Sequence, residues 1–137
     1  MSIKDMIAQL GQGMLTSVLI YALTLIGAVP LALPLALARG GKSKIARLLT
    51  GAYISFMRGT PLMLQLIAVY FGPWYLFRIR ISDGYRFYAV IIAFVLNYAA
   101  YFAEIYRAGI AAVPKGQREA AAVLGYTNAQ AFFRIVL

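Results

Sequence analysis

The chain has 137 residues, 63% of them hydrophobic and only 12% charged, against about 25% charged in an ordinary soluble domain, so an integral membrane protein is expected. Net charge is +9, from 13 Lys and Arg against 4 Asp and Glu, but the basic residues sit between apolar runs, as in membrane loops and unlike a nucleic-acid patch. Without Cys or His, disulfides, thiolate nucleophiles and His-based metal or acid–base sites are excluded, and no cofactor is expected.

The first apolar run, Met14 to Ala38, carries no charge and exceeds the roughly 20 residues that cross a hydrocarbon core. It predicts a first span over 14–38, kinked at Pro30 and Pro34 where neighbouring helices must cover the freed carbonyls. Lys4, the apolar stretch and Ala36 to Ala38 imitate a secretory leader, but the run is longer than the roughly 7–15 residues of a leader's apolar core, so a retained span is expected. RGGKSKIAR follows, with Arg39, Lys42, Lys44 and Arg47. Gly41-Lys42-Ser43 imitates a phosphate-binding loop, yet the earlier glycine of that motif is here Ala36 and no strand precedes it. The segment reads as a positively charged cytoplasmic loop.

Leu48 to Phe77 is apolar but interrupted by Arg58-Gly59-Thr60-Pro61. This pattern predicts a lead-in helix, a break, and a second span over 61–77, with Pro61 in its first turn and Thr60 as its cap. Trp74 and Tyr75 read as an interfacial aromatic belt. Arg78 to Arg86 is a polar turn marked by Ser82-Asp83-Gly84, and a third span is placed over 86–106. With the N-terminus outside, the inner loops hold Arg39, Lys42, Lys44, Arg47, Arg107, Lys115, Arg118 and Arg134, and the outer segments hold Lys4, Arg78, Arg80 and Arg86. The excess of basic residues on the inner side favours that orientation.

Arg58 lies in or beside a span, where a guanidinium is either functional or snorkels to the interface. Asn97, Tyr101 and Glu104 recur at i, i+4 and i+7 and share one helix face. Glu104 needs a partner, and two arginines qualify: Arg107 on its own helix and Arg58 across helices. The face is either a structural seam between helices or the lining of a solute path, and Ala99, Ala100 and Ala103 beside it admit close packing.

Beyond the third span, Gln117 to Leu124 reads as a short helix with Glu119 in its first turn, and Gly125 as its stop. Thr127 and Gln130 form a capping box that opens another helix. The first of these helices is shorter than the roughly 12–15 residues at which isolated helices become marginal, so it must dock. Its alanines, Ala120 to Ala122, admit a close partner, either another protein or its own membrane domain.

REAAAVLG in a loop after a spanning helix resembles the EAA loop of binding-protein-dependent ABC importer permeases: Glu119, Ala120, Ala121, then Gly125. RGTPLMLQL (Arg58 to Leu66) is similar to the signature of permeases for polar amino acids of the histidine, glutamine or arginine type. NYAAYFAEIYRAGIAAVPKGQREAA (Asn97 to Ala121) resembles the same subfamily, whereas the first span matches in general character alone. The resemblance implies an all-α bacterial inner-membrane permease of about five spans, three of them present here, with a cytoplasmic coupling loop over 113–130.

It further implies that the 117–125 helix seats in a cleft of a separate ABC ATPase subunit, so that ATP hydrolysis lies outside this chain. A second permease copy or a paralogue, an extracytoplasmic solute-binding protein and membrane lipid are the implied partners, and nucleic acid is not. Arg58, Thr60, Gln65, Asn97, Tyr101 and Glu104 would line or brace the translocation path. Because the chain reaches Phe133 to Leu137 without the Pro and further helices usual in the family, residues 1–137 are read as a partial permease domain. The alternatives are a related importer for another small polar solute, such as an opine or organic cation, and a membrane adaptor that does not transport. An intramembrane enzyme lacks support, since Glu104 has no paired carboxylate in the spans.

Overall fold

The structure is a computed structural model that describes residues 2–82 and 84–136. All regular elements among the described residues are helical: α1 (Ile3–Gly40), α2 (Lys44–Gly59), α3 (Leu62–Phe77), α4 (Tyr85–Ala112), α5 (Lys115–Val123) and α6 (Asn128–Ala131), which runs into a π-helical turn (Phe132–Val136).

α1 starts at Ile3 rather than near Met14. The Asp5 carboxylate accepts from the Ser2 N–H at 3.0 Å, a local start signal that the apolar run does not contain. The helix continues through Pro30 and Pro34 to Gly40. Ser43 caps α2 by accepting from the Ala46 N–H at 3.4 Å, so the Gly41-Lys42-Ser43 segment is a helix–helix connection.

α2 and α3 meet at a bend of 109°. The sixteen residues of α3 reach about 24 Å, less than the roughly 30 Å hydrocarbon core, so α2 and α3 have the length and composition of a span only together. Thr60 does not cap α3. It closes α2, its N–H and hydroxyl both donating to the Phe56 carbonyl, while Pro61 occupies the cap position of α3. A residue preceding proline is pushed to extended backbone, which ends α2 at that point. Beyond α3, the Tyr85 N–H donates to the Ser82 carbonyl at 3.0 Å; Asp83 of the expected turn lies outside the described residues.

The helices are joined by small residues. Thr24, Ala28, Ala32 and Ala36 recur every fourth position on the buried face of α1. Ala32 and Ala36 form one cluster with Ala100 and Ala103 of α4 and Ile54 of α2. A Cβ at Gly27 would lie 2.8 Å from Val95 Cγ2, so the two helices touch there. Gly27 opposite Val95 and Ala32 and Ala36 near Ala100 and Ala103 show that α1 and α4 run parallel. Lipid offers apolar side chains as good a surroundings as a helix does, so association in a bilayer relies on such close approach. Two tyrosines add directional ties: Tyr53 OH donates to the Leu96 carbonyl at 2.6 Å, and Tyr85 OH to the Val69 carbonyl at 2.9 Å.

Candidate functional site

The bend between α2 and α3 leaves the last carbonyls of α2 without helical partners. Two buried amide side chains reach the carbonyls of Met57 and Thr60. Gln65 Nε2 lies 2.9 Å from the Met57 carbonyl, 2.8 Å from Thr60 Oγ1 and 3.2 Å from the Thr60 carbonyl. Asn97 Nδ2, from α4, donates to the same Met57 carbonyl at 3.2 Å and to Gln65 Oε1 at 2.9 Å. Gln65 is 8% exposed and Asn97 5%, so both amides are buried between the helices, with Thr60 half-buried beside them. It brings together three residues read from the sequence, Thr60, Gln65 and Asn97. The Met57 carbonyl at its centre had no signal in the sequence, because a main-chain acceptor is exposed only by where the helix stops.

The rest of the predicted face divides. Glu104 is paired with Arg107, whose Nε donates to Oε1 at 2.9 Å and whose Nη2 donates to the same oxygen. Of the two candidate partners, the structure therefore selects the one on the same helix. Arg58 instead lies over the Tyr101 ring, 5.5 Å from its centroid, with its side chain exposed. The sequence marks Arg39 only as a loop charge. Its guanidinium crosses α2 at Gly51, where a Cβ would collide with Nη1, and it donates to the Arg47 carbonyl at 3.3 Å. The glycine in the α2 sequence was the available clue to that crossing.

The segment after α4 has a defined geometry. α5 begins at Lys115, two residues before Gln117, with Pro114 at the cap position. Proline's fixed φ suits a helix start, and its earlier placement moves Glu119 out of the first turn, weakening the expected macrodipole benefit. The end of α5 is a Schellman motif: the Tyr126 N–H donates to the Ala121 carbonyl and the Gly125 N–H to the Ala122 carbonyl, both at 3.0 Å. Gly125 has φ of +78°, a conformation that glycine adopts without steric cost. Thr127 and Gln130 then exchange side-chain to backbone bonds at 2.9 and 3.3 Å. Ala121 is buried, while Glu119 and Ala120 are exposed. Arg118, not singled out in the sequence, donates to the Ile110 carbonyl at 3.0 Å and ties α5 back to the end of α4. Val123 and Leu124, at the tip of α5, are 88% and 75% exposed.

Comparison with known proteins bears on this arrangement. Residues 28–137 match the family described as binding-protein-dependent transport system inner membrane component. The chain is 42% identical over 138 aligned positions to the L-cystine transport system permease protein TcyL of Bacillus subtilis (strain 168), covering 98% of this chain and 58% of that protein. It is 53% identical over 73 positions to the arginine transport system permease protein ArtQ of the same organism, covering 53% of this chain and 32% of that one. A crystal structure of an amino acid ABC transporter with histidines superposes with a TM-score of 0.77 at 35% identity, over 100% of this chain and 64% of that one. The chain thus spans 58% of the length of TcyL. A match over most of the sequence, on an all-helical fold with candidate membrane spans, places this chain in the family of binding-protein-dependent transport system inner membrane components.

Proposed function

We propose that this chain supplies the permease part of an ATP-driven importer for a polar amino acid, and that α5 is the element through which a separate ATPase drives it. The observation that carries this reading is the construction of α5. It is a helix of nine residues, held to α4 by one arginine, closed by a left-handed glycine, and carrying exposed Val123 and Leu124 at its tip. A helix that short does not persist alone, and its apolar tip needs a protein surface. The Glu119, Ala120, Ala121, Gly125 pattern supports an ATPase cleft as that surface. The excess of Lys and Arg in the segments around α1's end and α5 supports a cytoplasmic α5 and an outside N-terminus. A second permease and an extracytoplasmic solute-binding protein complete the machine in this reading, and the names of the relatives support cystine or arginine as first substrates to try.

Within the permease, Gln65, Asn97 and Thr60 act as braces of the α2–α3 bend. Arg58 and Tyr101 are the exposed members of the set and the better candidates to face solute. The test is uptake into proteoliposomes that hold the full-length permease, its ATPase and its binding protein. Gly125→Val forces a β-branched residue into left-handed backbone, a penalty of about 1–2 kcal/mol on the elbow. ATP-driven uptake is expected to fall about tenfold, the equivalent of about 1.4 kcal/mol, with membrane insertion unchanged. Uptake equal to the parent protein overturns the coupling role of α5.

A further inference from the structure

α4 ends without a closing motif. The last four carbonyls of a helix have no partner inside it. α4 stops at Ala112, and Val113 leaves it with φ of −67° and ψ of 119°, extended rather than in the left-handed backbone of a glycine stop. Among the described residues, one side chain reaches those carbonyls: Arg118 Nη2 donates to the Ile110 carbonyl at 3.0 Å. The donor belongs to α5, eight residues further along the chain. It places a cation at the negative end of α4, where charge and macrodipole strengthen the bond.

The joint between the two helices is Val113 and Pro114 alone. Proline fixes its own φ, here −57°, and confines the residue before it to extended backbone. The rotation that remains in this joint is opposed by the Arg118 bond, which spans it. α5 leans on little else, since eight of its nine residues are exposed and Ala121 is the exception. On the other side of the bond, α4 is one continuous helix. The thirteen positions from Ile110 back to Asn97 cover about 20 Å, with Gly109 as the one glycine and no proline. That helix carries Asn97 into the α2–α3 bend and Tyr101 under Arg58.

We propose that Arg118 is a positioning residue that makes α4 and α5 one lever: displacement of α5 reaches Asn97 and Tyr101 instead of being taken up at Val113 and Pro114. The proposal rests on the reading of α5 as the element that an ATPase drives.

Two measurements separate the strut from that reading. The first needs no ATPase. Residues 1–137 contain no cysteine, and Ile105 and Ala122 are exposed, so spin labels at Ile105→Cys and Ala122→Cys report how α5 stands against α4. In the full-length permease in nanodiscs, on a cysteine-free background, a single narrow distance is expected. Arg118→Ala should lose it, and Arg118→Lys, which keeps a cationic donor on a shorter stem, should recover part of it. A distance as narrow in Arg118→Ala as in the parent overturns the strut.

The second uses proteoliposomes of the full-length permease, its ATPase and its binding protein. Arg118 is exposed, so its removal leaves no buried donor unpaired, and membrane insertion and ATPase binding should be unchanged. Solute imported per ATP hydrolysed should fall about fivefold in Arg118→Ala, the lower end of coupling between distant sites, with partial recovery in Arg118→Lys. An unchanged ratio overturns the proposal. Weaker ATPase binding at an unchanged ratio means that Arg118 touches the partner instead, and overturns it equally. Gly109→Ala, for which there is open space, stiffens the lever and should preserve the ratio. Loss of coupling in that variant means that α4 bends at Gly109 and overturns the rigid lever. Absence of ATP-driven uptake by the parent complex, beside a narrow label distance, rejects the coupling role of α5 and the lever with it, while the strut between the helices stands.

Discussion

Asn97 and Gln65 are amides in apolar helices, the kind of residue expected to touch a polar solute in a membrane protein. In the structure each gives its hydrogen bonds to the end of α2 or to the other. Replacing Asn97 by Leu leaves Gln65 Oε1 without its donor in a buried place, with a loss of about 1–3 kcal/mol in stability. Thermal unfolding of the detergent-solubilised protein measures it. Gln65→Ala with Asn97→Ala should cost less than the sum of the two single changes, since both remove one network. At Arg58 the expected partner is the Tyr101 ring. A double-mutant cycle of Arg58→Gln and Tyr101→Leu should show coupling of about 0.5–1 kcal/mol, as for a cation over an exposed ring. Independence of the two changes would discard that contact. Which of two arginines pairs with Glu104 could not be read from the sequence, because Arg107 offered the i+3 spacing and Arg58 a contact across helices. The i+3 neighbour reached the carboxylate without the ordering of a second helix.

The α1–α4 seam depends on the absence of side-chain bulk. Its contact residues include Gly27, Ala32 and Ala36 against Val95, Ala100 and Ala103, and no large side chain is fully buried in the described structure. Ala100→Leu therefore forces the helices apart, and overpacking of this kind costs about 1–3 kcal/mol. A drop in midpoint temperature together with loss of the Tyr53 to Leu96 bond checks it, since that bond spans α2 and α4. An unchanged midpoint would mean that the seam has room. The bend at Thr60-Pro61 was legible in the sequence because proline restricts the residue before it. Its 109° angle was not, because Gln65 and Asn97 set it from 5 and 37 residues further along the chain. α5 was equally legible as a short helix with a glycine stop. Its start at Lys115 was not, because Pro114 serves as a helix-start residue as readily as Gln117 marks a helix interior.

At the scale of the molecule, two helices among the described residues are long and apolar enough to span a membrane, or three if the bent α2–α3 pair counts as one span. If α5 is cytoplasmic, Lys115→Cys in inside-out vesicles should react with a membrane-impermeant maleimide and remain silent in right-side-out vesicles. Reaction only in right-side-out vesicles would invert the proposed orientation. Membrane class, the helical character, the break at Thr60-Pro61 and the glycine elbow at Gly125 all followed from the sequence alone. They rest on hydrophobic run length, proline and glycine stereochemistry and capping chemistry, which act over a few neighbouring residues. The tertiary structure alone decided that Asn97 meets Gln65, that Arg39 crosses Gly51, that Arg58 faces Tyr101, and that the first turns of α1 stand outside the bundle. Those outcomes depend on which helices lie side by side and in what register, and no local pattern in the chain encodes a contact between residues that distant.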